Sequence, residues 1–169
     1  MHPFSIRLGL ALVLILTFFA ATGVAADHTL LTPLLVDING WKAEPASGMT
    51  MDMGSSRMIN AAREYRQGGK ELNAMVMLGN QAMTQGSMQA MKAENAEGKM
   101  SVSTIDGFKV MSQYSKTEKS GAVIVYLTQE QQQGAMFTLV YKGLSEEEGW
   151  NAAKKFNWKE MKNSVDKLF

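Results

Sequence analysis

Much of residues 57–142 consists of short segments in which apolar and polar residues alternate, and these segments end in tight turns. A period of two residues is the side-chain period of a β-strand. The Asp106-Gly107 pair separates two such segments, and Asp-Gly is a strong hairpin signal because both central residues of the turn need positive φ. A second turn, at residues 67–70, precedes the alternating segment 71–78. These features predict an antiparallel sheet.

The predicted strands are residues 57–66, 71–78, 100–105, 108–114, 122–128 and 135–142. For residues 57–66, the two alanines leave a helix as the alternative. The last two are apolar on both faces, which is typical of central strands that are covered on both sides. Residues 48–56, rich in Gly, Ser and Met, are predicted to form a loop. Residues 80–95, rich in Ala, Gln, Met and Lys, are predicted to form a helix.

The C-terminal part of the chain carries helix signals. Ser145 and Glu148 have the spacing of a capping box, and Asn157 is placed to begin a second helical segment. We therefore expect an α+β fold, in which residues 27–169 form a single domain with a mostly antiparallel sheet flanked by helices.

The first 26 residues have the three parts of a secretory signal peptide. Arg7 supplies the positive charge, residues 8–19 form an apolar core of 12 residues, and small residues follow. A spanning helix needs about 20 apolar residues, so a retained anchor is the weaker alternative. We expect cleavage after Ala26, or less often after Ala25. The product would be soluble and periplasmic, with membrane contact only through the signal peptide before cleavage.

Composition excludes several classes of function. The chain has 17 basic and 16 acidic residues, and only Arg7 among them precedes residue 27, so the mature chain has no net charge. This balance argues against general nucleic-acid binding. There is no cysteine, so the chain has no disulfide, thiol nucleophile or thiolate metal site. His28 is the single histidine after the signal peptide, and we expect it on a loose terminus.

No phosphate-binding, dinucleotide-binding or nucleophile-elbow motif is present. We therefore expect a protein that is not an enzyme and has no resident cofactor. Hydrolysis through paired carboxylates is a third possibility, behind binding and metal chemistry.

Methionine is the most unusual component, with 14 residues in the chain. Thioethers are soft ligands, so Met49, Met51 and Met53 could hold Cu(I). The alternative is that methionine fills the core in place of Leu and Ile. The methionines assigned to the core in this way are Met75, Met77, Met83, Met88 and Met91. Their spread over predicted strands and helix favours packing over copper. Cleavage after Ala25 would also place His28 third, as in a terminal Cu(II) or Ni(II) chelate.

Arg57, Arg63 and Arg66 form a local basic cluster. Arginines can bind a carboxylate or phosphate through two hydrogen bonds, so the cluster is a candidate contact for an anion or a partner. The alternative is a charged strand protected from edge pairing.

A set of short motifs resembles a group of uncharacterised exported bacterial proteins with a fold similar to that of the photosystem II extrinsic protein PsbP. The motifs are Gly40-Trp41-Lys42, Ser56-Arg57, Arg63-Glu64-Tyr65, Gly68-Gly69, Ile105-Asp106-Gly107-Phe108 and Ser120-Gly121. The resemblance implies a PsbP-like sheet between helices and favours a non-enzymatic accessory or binding module. No catalytic residue carries over. We therefore expect a periplasmic binding or accessory protein for an envelope protein or a small ligand, with copper binding as the alternative.

Overall fold

The computed structural model describes residues 27–54, 56–80, 91–129 and 133–169. These residues form an α+β structure with one nine-stranded antiparallel sheet. The strands are β1 (Lys42–Ala43), β2 (Ser47–Met53), β3 (Ser56–Gln67), β4 (Lys70–Asn80), β5 (Met91–Glu94), β6 (Gly98–Ile105), β7 (Phe108–Ser115), β8 (Ser120–Gln129) and β9 (Gln133–Lys142). The α-helices are α1 (Glu146–Ala153) and α2 (Trp158–Val165), and short 3-10 helices span Asp27–Leu30 and Thr32–Leu34.

The strand order is β1-β3-β4-β9-β8-β7-β6-β5, and β2 also pairs with β3. The predicted central position of residues 122–128 and 135–142 is confirmed, because β8 and β9 lie in the middle of this order. The predicted cover on both sides holds for one face only: the described helices pack there, and on the other face Val140 of β9 is 49% exposed. Asp106 and Gly107 have φ values of 50° and 84°, as the hairpin prediction requires.

The predicted helix caps are present. The Ser145 hydroxyl accepts a hydrogen bond from the Glu148 amide at 3.2 Å, and the Glu148 carboxylate accepts one from the Ser145 amide at 2.8 Å. Asn157 caps α2 by accepting a hydrogen bond from the Glu160 amide at 3.1 Å.

The core lies on one face of the sheet, which we call the helix face. On β4 its side chains are Leu72, Ala74, Val76 and Leu78, the alternate residues of the predicted segment 71–78, and each is at most 3% exposed. Phe156, in the link between α1 and α2, packs against Phe137 and Tyr65 with ring centroids 4.9 and 6.1 Å apart. The helices pack mainly on β8 and β9, and the first 3-10 helix packs on β2 and β3.

Three sequence-based expectations are wrong. Residues 47–53 are not a loop but strand β2, because they pair along β3 from Ser47–Ala62 to Met53–Ser56. The helix predicted over residues 80–95 is wrong where the structure describes its two ends. Asn80 is the last residue of β4, and Met91–Glu94 forms β5, which pairs with β6. Residues 81–90, with Met83 and Met88, lie outside the described residues.

The third error concerns the N-terminal segment. His28 is half-buried in a 3-10 helix instead of lying on a loose terminus. Its ring nitrogen Nδ1 lies 3.5 Å from the Thr50 hydroxyl, and its side chain lies over Gly48. Because glycine has no Cβ, β2 leaves room for the imidazole at this point.

Candidate functional site: a methionine-bearing face of the sheet

The face of the sheet opposite the helix face carries most of the described methionines. A strand directs successive side chains to opposite faces, so the pairing register determines which residues share a face. Within the described side chains, eight of the nine methionines lie on this face, and the ninth is Met161 in the core. We call it the methionine face, and its methionines are Met49, Met51, Met58, Met75, Met77, Met100, Met111 and Met136.

Cross-strand pairing brings several of these methionines together. Met51 on β2 is directly opposite Met58 on β3, and Met77 on β4 is directly opposite Met136 on β9. Directly opposite side chains have Cβ atoms about 4.5–5.5 Å apart, so the thioethers of each pair are within reach of one another. Met49 lies two residues from Met51 on the same face.

The expectation that Met75 and Met77 belong to the core is therefore wrong. Both are half-buried on the methionine face, whereas the alternate residues Ala74 and Val76 are fully buried on the helix face. Met91 is likewise a strand residue, not a helical one. The helix-face core is built mainly from aliphatic and aromatic side chains, with Met161 as its described methionine.

Side chains on the methionine face differ in how far they are exposed to solvent. Met49 and Met100 are 46% and 38% exposed, and Val140 is 49% exposed. Tyr126, directly opposite Met136, is 7% exposed, and burial raises the pKa of its phenol. The face therefore has a partly buried centre and apolar side chains that reach solvent.

The predicted copper ligands Met49, Met51 and Met53 lie on one strand, β2. The structure brings Met49 and Met51 to the same face and adds Met58, which the sequence-based hypothesis did not include. Among the described residues there is no cluster of three or more His, Asp or Glu side chains placed to hold a metal ion. A metal site on β2 and β3 would therefore depend on thioether ligands.

The three predicted anion-binding arginines do not converge. Arg57 and Arg63 share the helix face but are separated by six residues, about 20 Å along a strand, and Arg66 points to the opposite face. Arg57 forms ion pairs with Asp27 and Asp52, and Arg66 forms one with Glu64.

Arg63 holds the segment that precedes β1. Its guanidinium donates to the carbonyl oxygens of Glu44 at 2.8 Å and Leu35 at 2.6 Å, and to the Asp37 carboxylate at 2.6 Å. The neighbouring Tyr65 hydroxyl donates to the Val36 carbonyl at 2.8 Å, and burial raises the pKa of Tyr65 to about 12. These contacts favour a structural role for Arg63.

The sequence shows the methionines but does not show that they share one face of a sheet. The spacing offered a signal for it, because residues two apart on a strand share a face, and Met49 and Met51, like Met75 and Met77, are two residues apart. Pairing those strands correctly would have shown that the two pairs face the same way.

No helix in the described part of the chain is long and apolar enough to cross a bilayer. No family model matches the chain, and neither a curated protein nor a solved structure matches it.

Proposed function

We propose that the protein is a soluble, non-enzymatic binding or accessory protein of the bacterial periplasm, and that its methionine face binds an apolar surface of another envelope protein. The signal-peptide pattern of residues 1–26 supports the location. The observation that carries the binding proposal is the sorting of eight methionines to one sheet face while Met161 alone serves the described core.

The chemistry of methionine supports this role. Its unbranched, polarisable side chain can adapt to different partner shapes, and methionine is common at adaptable binding surfaces. A core position that needs one fixed shape is better served by Val, Ile or Phe, which is what the helix face contains. The two faces therefore differ as a packed interior differs from an adaptable contact surface.

The dimensions favour a protein surface over a small ligand. The methionines extend from β2 to β6, six strand spacings or about 29 Å across the sheet. A standard protein–protein interface covers about 800 Å² on each partner, which a patch of this width can supply. Charged side chains lie at one end of the same face, including Glu64, Arg66 and Lys142, as expected for a polar rim.

The test has two stages. A photo-crosslinking amino acid at Met111 would trap the partner in intact cells, and the same label at Asn163, on α2, is the control position. The identified partner would then be purified and its affinity measured for the wild type and for the double variant Met77→Lys/Met136→Lys. We expect binding to weaken at least about tenfold, because buried charges at the centre of an apolar contact are unpaired.

The control double variant is Asn151→Lys/Asn163→Lys, which adds the same two charges at exposed positions on α1 and α2 and should bind the partner like the wild type. Equal trapping from Met111 and Asn163, or unchanged affinity of the Met77→Lys/Met136→Lys protein, would contradict the proposal. Melting temperatures of all variants separate lost binding from lost folding.

The PsbP-like relationship belongs to the same proposal. The antiparallel sheet, the paired C-terminal helices and the turn at Asp106-Gly107 support it. An experimental structure with the strand order of PsbP would agree with it, and a different order would reject it.

Copper binding is a second candidate function, favoured by the Met51–Met58 pair with Met49 beside it. Three thioethers on adjacent positions suit Cu(I), which accepts sulfur donors and low coordination. A competition titration under reducing conditions would compare the wild type with Met51→Leu/Met58→Leu and with the control Met100→Leu. Tight binding that only the double variant abolishes would favour copper. Equally weak binding in all three proteins would reject it.

A further inference from the structure

A cleft of about 840 Å³ lies at one end of the helix face, where the β6–β7 turn approaches the link between α1 and α2. Aromatic side chains form much of its wall, namely Phe108, Phe156 and Trp158. The Phe108 and Trp158 rings meet edge to face with centroids 6.2 Å apart. The volume is within the range of about 300–1,000 Å³ that is usual for small-molecule sites.

The cleft wall is fixed by contacts inside the core. The Trp158 indole nitrogen donates a hydrogen bond to the Ala153 carbonyl at 3.2 Å, and Trp158 is 7% exposed. Phe156 is 3% exposed and packs on Phe137. Because contacts inside the core fix these rings, the cleft wall is ordered without a ligand.

The rim of the cleft is positively charged. Lys154, Lys159 and Lys162 line it together with a single acid, Asp106. Lys162 pairs with Asp166 at 2.6 Å, whereas Lys154 and Lys159 have no salt-bridge partner in the part of the chain that the structure describes. Long lysine stems can lie along apolar surface while their ammonium groups stay in water, above the aromatic wall.

We propose that this cleft binds an organic carboxylate, with the carboxylate at Lys154 and Lys159 and an apolar body against Phe108 and Trp158. Charge complementarity selects the anion, since the two ammonium groups attract a carboxylate, repel a cation and add no charge attraction for a neutral molecule of the same shape. The apolar wall selects a ligand with a hydrocarbon body over a small inorganic anion. Phe108, Trp158 and the lysines of this site lie on the helix side of the sheet, and Tyr126 at its edge also borders the methionine face. The proposal does not depend on the function proposed for that face.

Octanoate and its neutral analogue octanamide are matched probes for the cleft. An NMR titration of the mature protein would follow the Trp158 indole signal and the backbone amides of residues 154–163. We expect saturable shifts at these positions with octanoate, binding at least about tenfold weaker with octanamide, and weaker octanoate binding at high salt.

The variants assign the site. Lys154→Gln/Lys159→Gln removes both charges at nearly constant length and should weaken octanoate binding at least about tenfold, without changing the melting temperature. Lys167→Gln, outside the cleft, is the control for general charge and should bind like the wild type. Equal affinity for octanamide, equal loss in Lys167→Gln, shifts confined to the methionine face, or no saturable octanoate binding at millimolar concentration would each overturn the proposal.

Discussion

Arg63 illustrates how one side chain fixes a segment that has little regular structure of its own. Its side chain is 17% exposed, and its guanidinium lies 5.5 Å over the Tyr65 ring and donates to three acceptors in residues 35–44. A planar fork with several fixed donors can satisfy such acceptors together, which a single ammonium group cannot.

Replacing Arg63 by Lys should therefore destabilise the protein by about 1–3 kcal/mol, since buried carbonyl groups lose their donors. Chemical denaturation measures this difference. The control is Arg66→Lys, because Arg66 is 56% exposed and its surface ion pairs contribute little. Equal stability of the two variants would show that the Arg63 contacts do not hold the segment.

Tyr141 lies between two glycines. A Cβ added at Gly149 on α1 or at Gly121 on β8 would overlap its ring. The ring also stacks on Tyr114 with centroids 6.3 Å apart, so it has little freedom to move.

We expect Gly149→Ala to destabilise the protein by about 1–3 kcal/mol through overpacking, despite the better helix propensity of alanine. Gly69→Ala is the matched control, because a Cβ there meets nothing within 4 Å. A Gly149→Ala variant that melts at or above the wild-type temperature would mean that α1 can move away from the sheet.

At the scale of the elements, α1 is attached to β4 through Glu148. The Lys70 ammonium and the Glu148 carboxylate are 2.6 Å apart, and the same carboxylate completes the capping box. The hydrogen bond from Lys70, followed by those with Ser145, lowers the pKa of Glu148 from 4.5 to about 2.

A carboxylate with a depressed pKa stabilises the fold above its unfolded-state pKa, and this contribution is lost as the pH falls towards its folded-state pKa. We therefore expect part of the stability lost between about pH 4.5 and pH 2 to be absent in Glu148→Gln. Thermal melts across this range measure the slope. Glu147→Gln is the control, and an identical pH slope in Glu148→Gln and the wild type would contradict the assignment.

Strand β8 lies between β7 and β9, and Val125 on its helix face is fully buried. Val125→Asp would bury a charge without a partner and should cost several kcal/mol, a large part of the stability of an ordinary domain. The control Ile124→Val changes a half-buried residue on the other face and should cost about 1 kcal/mol. A wild-type melting temperature in Val125→Asp would show that β8 is not central to the core.

At the scale of the whole molecule, the sheet separates two surfaces with different chemistry. Aliphatic and aromatic residues face the helices, whereas the other face carries the methionines together with polar side chains and with other apolar ones such as Tyr126 and Val140. Among the described residues, the helices pack on one side of the sheet, and methionine and valine side chains on the other side reach solvent. The proposed function rests on this arrangement.

Processing of the chain is a prediction at the same scale. The signal-peptide pattern predicts a mature protein that begins at Asp27, or less often at Ala26. Intact-mass measurement of periplasmic material would identify the start. A dominant full-length species would contradict both the cleavage and the periplasmic proposal.

Local patterns in the sequence were sufficient for the strands at residues 71–78, 100–105, 108–114, 122–128 and 135–142, for the Asp106-Gly107 turn and for both helix caps. At residues 57–66 they favoured a strand but left a helix open. Each depends on residues close together in the chain: a period of two, a pair with positive φ, or a side-chain oxygen three residues before the backbone amide that it caps. The same patterns failed for β2 and β5, because these strands are stabilised by their partners β3 and β6 and carry weak local signals of their own.

Only the tertiary structure decided what the methionines and arginines do. A period of two puts the Met75 and Val76 side chains on different faces of the sheet, but it does not determine which side chain points towards the helices. Pairing with β9 and packing against α1 and α2 decide that. Likewise, the sequence shows three nearby arginines, but the path of residues 35–44 determines that the Arg63 guanidinium donates its hydrogen bonds to backbone carbonyls of the same chain. Both outcomes depend on contacts between residues far apart in the chain, which local periodicity does not encode.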